Sequence, residues 1–213
     1  MPSYDNFISL LEKDFELAFK TYELDFNTEA FDSKPDAYEI EFDFEFVKPN
    51  KIMMVKSGNS GKKATYLTWA RQKAVPVTLN SKSPPYFFTS HLSNCRMTFK
   101  FHDDQSKSVT VIHVAGDVSQ GGTIKGSKQR DELEKMVKTP DVTGERRLSI
   151  GGPKGGRKGA NFKKKQAKLG TAYYDTCARV FGVRDDSGQW TFYTQNIGRK
   201  DELLGFFEVQ QFN

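Results

Sequence analysis

The chain has 213 residues, of which 37% are hydrophobic and 13% aromatic. That composition can form one core of ordinary size and excludes a wholly disordered chain, so we expect a single domain spanning residues 1 to 213. The net charge of +5 is uneven, because residues 1 to 50 carry 13 acidic and only 4 basic side chains. No apolar run reaches the roughly 18 residues of a membrane helix, and acidic residues interrupt the place of a secretory signal, so we expect neither.

The first elements are indicated by two different hydrophobic periods. From Asn6 to Tyr22 the apolar residues recur at helical spacing, which predicts an amphipathic opening helix. From Tyr38 to Phe46 apolar residues alternate strictly with acids, which predicts a strand with one wet face. Residues 57–63 have loop composition, and a helical turn is expected around residues 66–71. The alternating residues from Val75 to Leu79 predict a short strand.

Two hairpins are predicted farther along the chain. Residues 95–114 form two alternating runs around Asp103 to Ser106, and residues 173–183 and 189–197 flank the turn formers Asp185 to Gly188. The prevalence of strands joined by tight turns places the chain in the α+β class. We expect a single domain with mixed, largely antiparallel β-sheets, sandwich-like, flanked by helices and long loops.

The segment between the hairpins has a different composition. Residues 129–138 are expected to form a helix, whereas residues 151–168 are rich in Gly and Lys and have little to bury, which predicts a long mobile loop. The glycines near Lys158 do not have the spacing of a phosphate-binding P-loop.

In the first hairpin the odd-numbered positions are apolar except for one histidine. They are Cys95, Met97, Phe99, Phe101, Val109, Val111 and His113. The even-numbered positions are polar except for Ile112, so alternation assigns Cys95 and His113 to the inward face and His102 to the outward face. A metal site built from Cys95, His102 and His113 is disfavoured for that reason, and we expect no metal or other cofactor.

The chemistry of this pair depends on the register of the hairpin. If the turn is centred on Asp104, Cys95 lies directly opposite His113, with Cβ atoms roughly 4.5 to 5.5 Å apart. A thiolate beside an imidazolium is an activated nucleophile, which indicates acyl transfer. The alternative is structural: Cys95 is a small buried hydrophobe and His113 a hydrogen-bonded core residue. Cys177 is expected in the core, and reduced thiols are the simpler expectation for both cysteines.

The residues before Cys95 resemble a known family. The stretch from Thr89 to Cys95 contains Leu92, Ser93 and Asn94, and together with His113 on the next strand it resembles the glutamine deamidase toxins of the cytotoxic necrotizing factor type. The likeness is closest to their short stand-alone members of the Burkholderia lethal factor type. Asn94 stands where the family motif has Gly, and Asn is the non-Gly residue best able to adopt positive φ.

The resemblance implies an enzyme that converts a glutamine side chain of a host protein to glutamate and releases ammonia. Cys95 would be the nucleophile and His113 the acid–base residue, with main-chain N–H groups near Asn94 and Cys95 receiving the oxyanion. Thr89 would orient His113 or shape the pocket, through its carbonyl or its hydroxyl. The resemblance further implies a monomeric bacterial effector that acts in the host cytosol by an unspecified delivery route. Its target class would be a translation-initiation RNA helicase, with Rho-type GTPases second.

Nucleic-acid binding is the main alternative and is not favoured. Residues 144–170 contain nine basic side chains and a single acid, Glu145. The basic residues are Arg146, Arg147, Lys154, Arg157, Lys158, Lys163, Lys164, Lys165 and Lys168. Such a segment can follow a phosphate backbone, but it holds one aromatic residue, Phe162, and matches no RNA-binding signature. We therefore assign Lys163, Lys164 and Lys165 to docking of the protein substrate.

Overall fold

The computed structural model describes residues 3–32, 36–59, 61–93, 95–115, 123–137, 146–151, 171–173, 177–198 and 202–209. The helices in these ranges are α1 (Tyr4–Lys13), α2 (Phe15–Thr21), α3 (Thr28–Phe31) and α4 (Thr123–Met136). The strands are β1 (Glu23–Phe26), β2 (Ala37–Lys48), β3 (Lys51–Lys56), β4 (Lys63–Leu67), β5 (Ala74–Leu79), β6 (Tyr86–Thr89), β7 (Arg96–Phe101), β8 (Val109–Val114), β9 (Arg146–Gly151), β10 (Thr171–Tyr173), β11 (Cys177–Arg184), β12 (Trp190–Ile197) and β13 (Leu203–Glu208).

The strands form two sheets. An eight-stranded sheet has the order β1-β3-β2-β4-β6-β11-β12-β13, and a five-stranded sheet has the order β10-β9-β7-β8-β5. The pairs β1–β3, β4–β6 and β9–β10 are parallel, and the other pairs among the described strands are antiparallel. The predicted α+β class with mixed, largely antiparallel sheets is confirmed. No helix of the described ranges is both long and apolar enough to cross a membrane.

The eight-stranded sheet curls strongly, and contacts between its two halves show this directly. β1 and β11 are five places apart, which in a flat sheet is about 24 Å. Yet the Arg179 guanidinium on β11 lies 2.7 Å from the Glu23 carboxylate on β1, and the Leu24 N–H donates to Gln195 Oε1 at 2.9 Å. The sheet therefore approaches a closed barrel, so the sandwich part of the prediction describes it only partly.

A cluster of four charged side chains, three of them buried and Asp25 partly exposed, lies where the two halves of the sheet meet. Arg179 contacts both Glu23 and Asp25, at 2.7 and 3.1 Å. Lys51 on β3 contacts the same two carboxylates, at 3.1 and 2.9 Å. Two acids thus face two bases, and the cluster is neutral as a unit, which is the condition under which charges are tolerated away from water.

The inside of the curved sheet is filled by mainly aromatic residues of the sheet and of the helices α1 to α3. Its buried members are Phe7, Leu11, Ala18, Phe19, Tyr22, Leu24, Phe26, Phe31, Ile40, Phe42, Phe44, Ile52, Met54, Ala64, Tyr66, Phe88, Phe181 and Tyr193. The single opening helix predicted for residues 6–22 is divided at Asp14, which ends α1. The Asp14 carboxylate accepts a hydrogen bond from Leu17 N–H at 2.9 Å and so caps α2.

A second core lies between the two sheets. Its buried residues are Leu67, Val75, Leu79, Phe87, Leu92, Cys95, Met97, Phe99, Phe101, Val109, Val111, Ala115, Ala178, Val180, Trp190, Phe192 and Val209. The predicted helical turn at residues 66–71 is wrong, because Tyr66 and Leu67 belong to β4 and pair with Phe88 and Thr89 of β6. The strand from Val75 to Leu79 is confirmed as part of β5.

The first hairpin is confirmed, but its register differs from the prediction. Met97, not Cys95, lies opposite His113, and Phe99 lies opposite Val111. The loop is longer than a turn centred on Asp104, because the Asp103 carboxylate accepts hydrogen bonds from the N–H groups of Lys107 and Ser108 at 2.8 and 2.7 Å. Ser106, with φ of 56°, completes the reversal, which shifts each pairing by two residues.

The remaining predicted elements have mixed outcomes. The second hairpin is confirmed, with Arg184 opposite Trp190 and Gly188 at φ of 88° in the turn. The helix predicted at 129–138 is present but begins at Thr123. Residues 146–151 form β9, a strand that the composition of the segment did not indicate. The predicted mobile loop, apart from Gly151, lies outside the described residues, as do Lys163, Lys164 and Lys165.

Candidate functional site

The candidate site lies where two connections pass from the large sheet to the small one. Residues 68–73 lead from β4 to β5, and residues 90–95 lead from β6 to β7. The two connections leave from neighbouring strand ends, because the Leu67 carbonyl accepts hydrogen bonds from both Ser90 N–H (3.1 Å) and Thr89 Oγ1 (2.8 Å). Polar groups from both sheets therefore meet at one end of the second core.

Thr89 and His113 join the two sheets by a hydrogen bond across the core. Thr89 Oγ1, at the end of β6, lies 3.1 Å from His113 Nδ1 on β8, and both residues are almost fully buried. The single hydroxyl proton of Thr89 is donated to the Leu67 carbonyl, so toward His113 the hydroxyl is an acceptor. His113 must therefore carry its proton on Nδ1. Its Nε2 is left unprotonated and, within the described part of the chain, without a hydrogen-bond partner.

Cys95 lies immediately before β7 and is only 4% exposed. By strand alternation it shares the inward face with Met97, and since Met97 opposes His113, Cys95 is diagonal to the histidine rather than opposite to it. The thiol donates to the Ser93 carbonyl at 3.7 Å, and the nearby Trp69 side chain lowers the pKa of the thiol. The thiol makes no hydrogen bond to His113 Nε2 in this structure.

Burial sets the protonation states of the pair. It raises the pKa of the Cys95 thiol to about 11, and the contact with the Ser93 main chain, the nearby Trp69 side chain and the Arg130 charge offset only part of this. Burial also lowers the pKa of His113 to about 3, with a smaller contribution from nearby His91. The resting pair is therefore a neutral thiol and a neutral imidazole, not the thiolate and imidazolium that the sequence led us to expect. The proton is on sulfur, and an unprotonated nitrogen is on the same face.

A second hydrogen-bond network, which was not predicted, borders the site. The Ser90 hydroxyl donates to the Asp32 carboxylate in a short hydrogen bond. It accepts from Trp69 N–H at 3.0 Å and lies 3.3 Å from the Tyr66 hydroxyl. The only signal available was the adjacency of Ser90 to Thr89, because Asp32 is 58 residues away and lies in no recognisable motif.

The other residues of the motif have different placements. Leu92 is buried and forms an isolated β-bridge with Ala178 of β11, which ties the connection to the large sheet. Ser93 is exposed and provides the carbonyl near Cys95. Asn94 lies outside the described residues. Cys177, expected in the core, is only half-buried, and it is not in a disulfide with Cys95.

His102 lies apart from this site. Its Nε2 is 2.7 Å from Thr110 Oγ1, which in turn lies 2.8 Å from Thr78 Oγ1, on the opposite face of the small sheet from His113. That face is covered in part by α4, where Arg96 contacts Asp131 and Glu134. Across the described ranges, no group of three His, Cys, Asp or Glu side chains is arranged to hold a metal ion.

The low pKa of His113 predicts a pH dependence of stability. In the unfolded chain the imidazole binds a proton below its usual pKa of about 6.5, whereas the folded protein resists protonation down to about 3. The folded state therefore loses stability as pH falls through this window, by about 2 to 3 kcal/mol between pH 7 and 4.5. Urea denaturation at pH 7 and at pH 4.5 measures the loss. In His113→Asn, which has no imidazole to protonate, the loss of stability between the two pH values should be about 2 to 3 kcal/mol smaller than in the wild type. An unchanged pH dependence in the variant would contradict the buried neutral histidine.

A scan of protein-family models and a search of curated proteins found no match to this chain. The functional inference therefore rests on the residues of the site and their contacts.

Proposed function

We propose that the chain is a protein glutamine deamidase with a Cys95 nucleophile and a His113 base. The observation that supports this most strongly is the Thr89–His113 hydrogen bond, which leaves an unprotonated Nε2 on the face that also carries a protonated thiol. Among the described residues His102 Nδ1 is also buried without a partner, so what distinguishes His113 is that its unpartnered nitrogen lies on the same strand face as the Cys95 thiol. The likeness of residues 89–95 to the deamidase toxins supports the same assignment.

The reaction uses the protonation states of the resting pair. With pKa values of about 11 and about 3, full transfer of the proton from Cys95 to His113 is unfavourable before substrate binds. Transfer is therefore expected to accompany attack: Nε2 takes the thiol proton as sulfur bonds to the amide carbon. Main-chain N–H groups near Asn94 and Cys95 would stabilise the oxyanion.

The second half of the cycle returns the enzyme to its starting state. The C–N bond breaks as His113 gives its proton to the leaving nitrogen, which departs as ammonia and leaves a thioester on Cys95. His113 Nε2 then takes a proton from water, whose oxygen attacks the thioester carbon. The carbon–sulfur bond breaks, the glutamate carboxylate is released, and Cys95 regains its proton. No cofactor is consumed in this scheme.

The likeness to the deamidase toxins also supports a proposal for where the protein acts and on what target. We infer a monomeric bacterial effector that acts in the host cytosol, with a translation-initiation RNA helicase as the preferred target class and a Rho-type GTPase as the second. Lys163, Lys164 and Lys165 would dock the acidic surface of the substrate protein, in a way that weakens with salt.

The decisive experiment is mass spectrometry of host lysate treated with wild type or with Cys95→Ser. A deamidase produces a gain of about 1 Da at one glutamine, and the serine variant, which lacks a strong nucleophile, produces none. Matching circular dichroism spectra show that the two proteins are equally folded. Modification by both proteins, or by neither, contradicts the proposal.

Assays of ammonia release, RNA affinity and toxicity separate catalysis from nucleic-acid binding. For a deamidase, changing Lys163, Lys164 and Lys165 to Gln weakens association with the target but preserves ammonia release at saturating substrate. For an RNA-binding protein, the triple change abolishes RNA affinity and toxicity, and Cys95→Ser has no effect on either.

A further inference from the structure

The Ser90 hydroxyl is the centre of the hydrogen-bond network that borders the proposed site. A hydroxyl has one proton, and Ser90 donates its proton to the Asp32 carboxylate in a short hydrogen bond. The lone pairs of the hydroxyl are therefore left to accept from the Trp69 main-chain N–H, which lies at 3.0 Å, and the Tyr66 hydroxyl lies 3.3 Å away. Ser90 is buried, so removal of the hydroxyl leaves the groups around it without a partner. The carboxylate thus fixes the direction in which the hydroxyl donates.

Two tyrosines on neighbouring strands hold Asp32 next to Ser90. Tyr66 on β4 donates a hydrogen bond to the Asp32 carboxylate at 3.1 Å. Tyr38, which lies opposite Tyr66 on β2, donates a short hydrogen bond to the carbonyl of Phe31 at the end of α3. The Phe31 ring also packs on Tyr66, with ring centroids 5.1 Å apart. Asp32 is therefore fixed against the large sheet, although it is remote in sequence from the proposed site.

Ser90 connects this network to His113 through the main chain of residues 67 to 69. Its N–H donates to the Leu67 carbonyl at 3.1 Å, while its Oγ accepts from Trp69 N–H at 3.0 Å. These two bonds clamp the segment at two points and so fix the direction of the Leu67 carbonyl. The same carbonyl accepts the Thr89 hydroxyl proton at 2.8 Å, which leaves a lone pair of Thr89 for His113 Nδ1 at 3.1 Å. Every step from Asp32 to the imidazole is a hydrogen bond or a single stretch of main chain.

We propose that Asp32 and Ser90 are positioning residues for His113, an inference that rests on the proposed function. By fixing the Leu67 carbonyl they direct the Thr89 proton away from the imidazole, so that His113 keeps its proton on Nδ1 and has Nε2 as the base. When the Ser90 hydroxyl or its carboxylate partner is removed, the carbonyl is less firmly held and Thr89 can turn its proton toward Nδ1. Part of the molecules then carry the imidazole proton on Nε2 and lack the base.

The tautomer of His113 tests this proposal without a substrate. Nitrogen-15 NMR of the imidazole at pH 7 distinguishes a protonated ring nitrogen from an unprotonated one, and the His113 signals are those missing from His113→Asn. Wild type should show a single tautomer with the proton on Nδ1, whereas Ser90→Ala and Asp32→Ala should each show both tautomers. Asp32 is only partly buried, so Asp32→Ala should fold and give an answer even if Ser90→Ala does not.

Thr68→Val is the matched control. Thr68 is buried in the same connection, and its hydroxyl donates to the Asp36 carbonyl at 2.8 Å. The variant therefore loses one buried hydrogen bond but keeps every partner of the Leu67 carbonyl, so it should show the wild-type tautomer and kcat. The double variant Asp32→Ala/Ser90→Ala should be no more mixed than Ser90→Ala alone, because Asp32 acts through Ser90. The proposal is overturned by a single Nδ1–H tautomer in both alanine variants, by a mixture in Thr68→Val, or by additive effects in the double variant.

A kinetic readout separates failure of this proposal from failure of the proposed function. With a protein substrate from the lysate experiment, Ser90→Ala and Asp32→Ala should lower kcat by about tenfold, because a misplaced base is less effective. KM should stay within about twofold of wild type, because the two residues act on His113 and not on substrate binding. If Cys95→Ser remains active, the proposed function fails and the tautomers still report on positioning. If Cys95→Ser is inactive while both alanine variants keep the wild-type tautomer and kcat, the positioning role alone fails.

Discussion

His113→Asn is expected to lower the rate of ammonia release at saturating substrate by about 10³-fold, the usual contribution of a positioned general base. The asparagine amide can still donate to Thr89 Oγ1, as Nδ1–H does in the wild type, so the hydrogen bond between the sheets is retained. What the variant lacks is the unprotonated nitrogen that faces the core. The rate is measured as ammonia released from the modified host protein under single-turnover conditions.

His102→Gln is the matched control for this experiment. His102 lies on the other face of the same hairpin, and glutamine can still reach Thr110. Its rate should stay within about twofold of wild type. A strong loss in the His102 variant together with a nearly normal rate in His113→Asn would reverse the assignment of the base.

Arg179→Met is expected to lower the free energy of unfolding by about 3 to 5 kcal/mol, which is a large part of the stability of an ordinary domain. The change leaves Glu23 and Asp25 with Lys51 as their remaining partner in the buried cluster, so one negative charge is uncompensated. Urea denaturation at pH 7 measures the loss. For a chain of this size it corresponds to a fall of about 10 °C in Tm.

Two further variants test the cause of that loss. Arg184→Met lies on the same strand, but this arginine donates to the neutral carbonyl of Ser83, so about 1 kcal/mol is expected. Adding Glu23→Gln to Arg179→Met should recover part of the stability, because it removes the uncompensated charge. Equal losses for the two arginines, with no recovery in the double variant, would show that lost packing and not charge is responsible.

Local patterns predicted those elements whose residues are close in sequence. The alternation of acids and apolar residues from Tyr38 to Phe46 corresponds to β2, and the turn formers Asp185 to Gly188 to the second hairpin. The curl of the large sheet had no such local signal. Its buried charges lie on three strands, and Glu23 and Arg179 are 156 residues apart, so no window of the sequence contains both.

The site was predictable to the level of the strand face but not to the level of hydrogen bonds. Alternation places Cys95 and His113 on the same face of the hairpin. The longer loop, in which the Asp103 carboxylate accepts a hydrogen bond from Lys107 N–H, shifts the pairing of the two strands by two residues from the prediction. The polar residues assigned to the outward face include Thr98 and Thr110, which are nevertheless buried, and alternation alone does not show that α4 packs against the small sheet. The tautomer of His113 depends on Leu67 and Thr89, which come from another sheet.

The curl of the large sheet also affects when, during synthesis and folding, the proposed site can form. The described residues of the proposed site all come from positions 67 to 113, but Thr89 lies on β6, which pairs with β11, and Leu92 is bridged to Ala178. The ribosome synthesises β11 and Ala178 about ninety residues after Thr89 and Leu92, the residues that they contact. Closure over such distances is entropically expensive and comes late in folding. A nascent chain that stops before Cys177 would therefore contain every described residue of the proposed site but would lack β11 to β13, which complete the large sheet beside Thr89 and Leu92.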